Sequence, residues 1–165
     1  MNRIIYQSVR LPCSQQQAFK LFTVNKHLEV WLTVKANVEP HLGGKYELFW
    51  APAHPKYDST IGCRITAIKP GKLLAFEWKG PKQYNHFMNK ADPLTHVTVF
   101  FIPVATSRSS KPVTEVHLIH SGWRSSKRWE EARLWFERMW NYCFKELRKY
   151  VKTRNYSARK KSPEP

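Results

Sequence analysis

Acid is scarce in this chain: 12 Asp and Glu stand against 28 Lys and Arg, a formal charge of +16 over 165 residues. Long apolar runs are missing too. None approaches the roughly 18 residues of a membrane span, so no spanning helix is expected. Residues 1–8 (MNRIIYQS) lack the apolar core and small-residue cleavage site of a secretory leader. Cysteine is limited to Cys13, Cys63 and Cys143, odd in number and far apart without metal-ligand spacing. They are expected to be reduced thiols in a cytoplasmic protein. With six glycines, the chain holds no Gly-rich phosphate loop, and it has no nucleophile elbow and no Cys-x-x-Cys. These absences leave no named enzyme and no cofactor. Of the histidines, His117 and His120 are three apart on an expected strand and so point to opposite faces, while His54, His86 and His96 have no ligand spacing. No metal site is expected.

Aromatic residues, in contrast, make up 14% of a chain whose 42% apolar content is ordinary. The length suits one domain with a real core, over residues 1–152, followed by a basic tail at 153–165 expected to be disordered. One stretch organises the domain. Over residues 126–152, Trp129, Ala132, Phe136, Met139, Trp140, Cys143, Leu147 and Val151 recur at steps of three and four, down one face of a helix. Trp135, Phe144 and Tyr150 widen the stripe. Glu130, Arg133, Glu137, Asn141, Lys145, Arg148 and Lys152 take the opposite face. Ser126 is the expected N-cap, and Glu130 and Glu131 suit the positive end of the helix dipole. At 1.5 Å per residue this helix is about 40 Å long.

Upstream, residues 3–11 alternate as a strand that Pro12 ends. Ser14 and Gln17 have capping-box spacing for a short helix through Phe19 and Phe22, and Asn25 is the expected cap of a second, ending near Trp31. Strands follow at 34–38, 45–50, 59–68 and 74–78, the third as one run placing Ile61, Cys63, Ile65 and Ala67 together. Gly43-Gly44 and Pro70-Gly71 mark turns between them. Residues 51–58 and 80–93 are loops, the latter carrying Tyr84, His86, Phe87 and Met88. Strands at 95–103 and 113–121 are joined by a polar link at 106–111, and Gly122-Trp123 leads into the long helix. No internal repeat is present. The result is an α+β chain of about seven antiparallel strands. A sheet with one buried face needs an apolar partner, and only the C-terminal helix is long enough. A curved sheet gripping that helix leaves room for a cavity between them.

Residues 18–23 (AFKLFT) with His27-Leu28 and Trp31-Leu32 resemble the N-terminal helices of the SRPBCC (START-like) superfamily. Val38-Glu39-Pro40 with residues 43–48 (GGKYEL) resembles its second strand, glycine turn and third strand. His120-Ser121-Gly122-Trp123 is similar to the junction in the branch named for the C-terminal domain of the heat-shock-protein-90 ATPase activator. The resemblance runs from about Ile4 to Val151, and its motifs are structural. It implies a helix-grip fold whose members hold apolar ligands, some as cyclases or hydroxylase subunits, others as carriers, while one set binds a chaperone. The strong basicity and the basic tail depart from that pattern.

The candidate ligand-binding residues are Trp31, Tyr46, Leu48, Trp50, Trp78, Phe87, His120, Trp135, Met139 and Trp140, as aromatic walls for a flat or lipid-like molecule. Ordinary core packing is the competing explanation for each. His120 is the candidate polar group, either as a hydrogen bonder or base in the pocket or as a buried histidine bonded to a neighbouring backbone group. Glu39 and Asp58 are candidates for the cavity mouth, and the two loops at 51–58 and 80–93 for its closure. A cyclase- or hydrolase-like activity would need a polar pair that these residues do not supply. The leading expectation is therefore a binder of a hydrophobic small molecule, with an interaction module for an acidic protein such as a chaperone as the alternative. The charge favours polyanions generally, but no basic cluster interleaved with aromatics forms a nucleic-acid motif, so nucleic acid is not an expected partner.

Overall fold

The computed structural model describes residues 3–105 and 111–154. β1 (Ile5–Leu11) buries Ile5 and Leu11 completely. α1 (Gln15–Thr23) opens on the capping box: the Ser14 hydroxyl accepts from the Gln17 N–H at 3.2 Å, and the Gln17 side chain accepts from the Ser14 N–H at 2.9 Å. α2 (Asn25–Trp31) corrects one expectation. Asn25 is its first residue rather than its cap, and its Oδ1 accepts from the Val38 N–H at 2.9 Å. A side chain drawn to the next strand is unavailable to the helix end.

Among the described residues, seven strands make two sheets. β1, β7 (Thr114–Ser121), β6 (Thr95–Pro103), β5 (Leu73–Trp78) and β4 (Ile65–Lys69) lie in that order, antiparallel throughout. β2 (Lys35–Val38) pairs with β3 (Tyr46–Phe49). The two sheets are tied by backbone bonds, from Tyr46 N–H to Cys63 O at 2.9 Å and from Ile65 N–H to Gly44 O at 2.8 Å.

The expected single strand at 59–68 is the main correction. Only Ile65–Lys69 is a strand, and Ile61 is 36% exposed instead of sharing a face with buried Cys63 and Ile65. Side chains displace the ladder there. The Thr60 hydroxyl accepts from Leu48 N–H and donates to Tyr46 O, Glu47 accepts from Gly62 N–H, and Gly62 turns at φ +88°. A register shift between Ile65 and Ala67 then moves Ala67 off the common face. Within the 80–93 loop, α3 (Asn85–Met88) forms one helical turn that buries Phe87 and Met88. The polar link expected at 106–111 lies largely outside the described residues, and so does the tail from residue 155.

α4 (Lys127–Arg154) fills the concave side. Trp129, Ala132, Phe136, Trp140, Cys143, Phe144, Leu147 and Val151 are buried along it, as the periodicity predicts. Two residues depart. Met139 is half-buried, and Arg133, expected outside, is 7% exposed, with its guanidinium held by Glu130 through Nε at 3.0 Å and Nη2 at 2.7 Å. Among the described residues no helix is long and apolar enough to cross a membrane, and no group of three or more His, Cys, Asp or Glu is placed to hold a metal ion.

A candidate cleft between helix and sheet

Where β5 ends, Trp78 brings the chain against the middle of α4. A cleft of about 480 Å³ opens there. Its walls come from Trp31 and Leu32 at the end of α2, Trp50 after β3, Trp78 on β5, and Trp135, Phe136, Met139, Tyr142 and Cys143 on α4. Asp58 and Ser59 from one loop and Lys79, Gly80, Pro81 and Gln83 from the other complete it. The size falls within the roughly 300–1,000 Å³ of small-molecule sites.

The polar ends of two wall indoles are already used. Trp31 Nε1 donates to Leu21 O at 2.8 Å, and Trp50 Nε1 donates to Leu32 O at 2.9 Å. Both rings are thereby pinned and present carbon to the cleft. Trp78 differs: its buried Nε1–H has no partner among the described residues. The mouth is tied together across its two loops, since Asp58 Oδ1 accepts from the Lys82 N–H at 2.7 Å while Asp58 turns the chain at φ +46°. Lys79 Nζ donates to Ile61 O at 2.6 Å. The 80–93 loop is also anchored below, where Phe87 packs on Trp129 at 5.0 Å and Gly80 lies so close to Met88 that a Cβ would meet its sulfur at 2.7 Å. Cys143 in the wall is neutral, its thiol pushed up to about 12 by burial.

Thus Trp31, Trp50, Trp78, Trp135 and Met139 come together around one space, and Tyr46, Leu48, Phe87, His120 and Trp140 do not line it. Those five are packing residues. Tyr46 stacks on Phe76 at 3.7 Å and donates its hydroxyl to Phe22 O at 2.7 Å. His120 is fully buried behind the cleft wall within a chain of hydrogen bonds. Trp140 Nε1 donates to His120 Nδ1 at 3.1 Å, which leaves the ring proton on Nε2 to donate to Thr95 Oγ1, also at 3.1 Å. Thr95 Oγ1 lies 3.4 Å from Trp78 O as its donor. Burial, reinforced by the nearby His96, drives the ring down to about 3. His120 is therefore a neutral strut between β7, β6 and α4. Glu39 is at a turn, accepting from the Lys45 N–H at 3.1 Å, whereas Asp58 does reach the mouth.

Leu32, Phe136, Tyr142 and Cys143 join the wall although they are not among the candidate ligand-binding residues. The signal for Tyr142 was present: Trp135, Met139 and Tyr142 are spaced by four and three, a second seam beside the core stripe. A larger, polar groove of about 820 Å³ lies at the start of α4 around Arg3, Trp123, Arg124, Glu130 and Arg133. Its cations are already engaged, Arg3 and Arg133 by Glu130 and Arg124 by the carbonyls of Gly122 and Pro93.

Solved structures share this fold. A protein of Mesorhizobium loti superposes with a TM-score of 0.66 at 18% identity, over 92% of this chain and 98% of that one. An HSP90 activator from Plasmodium falciparum matches at 0.61 and 18% identity, over 91% and 94%. DynU16, from the dynemicin biosynthetic locus, matches at 0.61 and 13% identity, over 91% of this chain and 47% of its own. At such identities the likeness is one of fold, the helix grip. Among curated proteins none matches this sequence. Residues 12–152, nearly the whole described domain, match one family throughout: the chain belongs to the family described as activator of Hsp90 ATPase homolog 1-like protein.

Proposed function

We propose that the protein binds an apolar or aromatic small molecule, lipid-like or polyketide-like, in the cleft between sheet and α4. The observation that carries this reading is the wall itself: four tryptophans and a methionine surround one space instead of filling it. Two of the indoles are locked by backbone hydrogen bonds, so little ordering is required when a ligand enters. A ligand oxygen that reached Trp78 Nε1 would satisfy the unpaired donor on that wall. Asp58 and Lys79 are tied to backbone groups and Cys143 is neutral, which favours holding over catalysis. The shared fold with DynU16 is consistent with a small-molecule role.

The test is titration with cis-parinaric acid, a fluorescent fatty acid that brightens on leaving water. Wild-type protein is expected to bind it saturably. Met139→Glu places a charge on the half-buried wall and is expected to weaken binding by about tenfold or more without removing a core side chain. Equal binding by both proteins, or none by either, would refute the reading.

The family description and the Plasmodium falciparum neighbour support a second reading, an interaction module that docks an acidic chaperone through the basic surface. Such binding would fall steeply with salt and survive Met139→Glu.

A further inference from the structure

The cleft's rim has a chemistry distinct from its walls. On α4, Arg138 and Lys145 lie four residues before and three after Tyr142, and Lys149 lies a further turn along. All four therefore share one helix face. All four are exposed, Tyr142 by 64% although it also belongs to the cleft wall. None of the three cations makes an ion pair with a described residue. On the α2 side, Val30 and Val34 bracket the wall residues Trp31 and Leu32 and are 53% and 59% exposed. On the loop side Tyr57, next to the wall residue Asp58, is half exposed, with Lys82 Nζ 5.5 Å over its ring. Exposed valines, tyrosines and unpaired cations thus adjoin the wall from three elements.

We propose that this rim docks on an anionic bilayer surface and that the cleft takes a single-chain amphiphile from it. Arg138, Lys145 and Lys149 would meet the headgroup phosphates. The two tyrosines would sit at the interface, where rings with one apolar and one polar end are favoured. The valines carry the choice of partner: aliphatic side chains gain from contact with lipid and nothing from the phosphates of a nucleic acid. A partly buried anionic head would also suit Lys79, the cation in the wall, whose ammonium keeps two donors beyond the one given to Ile61 O. Docking itself involves no spanning segment. The proposal rests on the ligand reading above and specifies the ligand's class and where it is acquired.

The experiment is co-sedimentation of the full chain with vesicles of phosphatidylcholine alone or mixed with phosphatidylserine, at low and at physiological salt. The chain should pellet with the mixed vesicles and be released by salt. The double variant Arg138→Glu with Lys145→Glu should lose affinity by about fivefold for each cation removed, or more. It should still take up cis-parinaric acid from solution, because the cleft wall is untouched. Val30→Ser with Val34→Ser should weaken vesicle binding at unchanged charge. Equal sedimentation with both vesicle types, or undiminished binding by the charge-reversed variant, would overturn the proposal. So would a single-stranded RNA that binds through Arg138 and Lys145 and is indifferent to the valine changes. A wild-type chain that pellets with mixed vesicles but takes up no parinaric acid would support docking and remove the ligand reading, so the two can fail separately.

Discussion

His120 shows how much a single residue's role depends on its neighbours. As a histidine on the inward face of an apolar strand it reads either as a polar group in a pocket or as a buried histidine bonded to a neighbouring backbone group. The structure instead places it between the indole N–H of Trp140 and the hydroxyl of Thr95, fully buried and neutral. That position has a measurable consequence. The folded ring is held down to about 3 while an unfolded histidine titrates near 6.5. Below about pH 6.5 the unfolded chain binds a proton that the folded chain refuses. The stability associated with the neutral ring is thus complete above that pH and lost progressively down to about 3, by at most about 1.4 kcal/mol per pH unit. His120→Gln keeps an acceptor and a donor but cannot titrate. Urea denaturation from neutral pH to about 4.5 is expected to show a shallower decline for the variant, and identical slopes would contradict this role. His96, also shifted down by burial, contributes in the same direction to both proteins.

At the scale of the element, legibility followed local rules. The Ser14–Gln17 cap, the alternation of β7 and the stripe of α4 were readable because each depends on residues a turn or a pleat apart. Asn25 and the 59–64 segment depart from the reading because their partners lie elsewhere: Val38 for the first, and Glu47 with Tyr46 and Leu48 for the second. Arg133 is a different case, since its partner Glu130 is only one turn away on the same helix. The junction between β7 and α4 was legible through Gly122, and the reason is steric. Gly122 has φ +91°, and a Cβ there would stand 3.2 Å from the Thr95 Cα, a backbone atom that cannot swing away. Gly122→Ala is expected to cost about 1–2 kcal/mol from backbone conformation alone, read as a lower urea midpoint. An unchanged midpoint would mean that the junction tolerates a side chain.

For the whole molecule, the helix grip followed from counting apolar faces: one half-buried sheet, one long amphipathic helix, and no other partner for either. The cleft was less legible. Trp135, Phe136, Met139 and Cys143 are all core residues by spacing as well as wall residues, and what separates Trp135 from Trp140 is a rotation of about 140° around the helix. That difference puts Trp135 and Met139 beside open space and Trp140 against His120. The seven tryptophans now offer seven built-in reporters. Trp31, Trp50, Trp78 and Trp135 line the cleft; Trp123, Trp129 and Trp140 do not.

The most direct measurement is therefore a nitrogen–proton correlation spectrum of the indole N–H groups during titration with cis-parinaric acid. Occupancy of the cleft is expected to shift the signals of Trp31, Trp50, Trp78 and Trp135, with Trp78 largest if its free donor gains an acceptor. Trp123 and Trp129 should hold still. Shifts confined to Trp123, in the polar groove by the start of α4, and its ring neighbour Trp129, or no shift at any indole, would contradict a ligand site between sheet and helix.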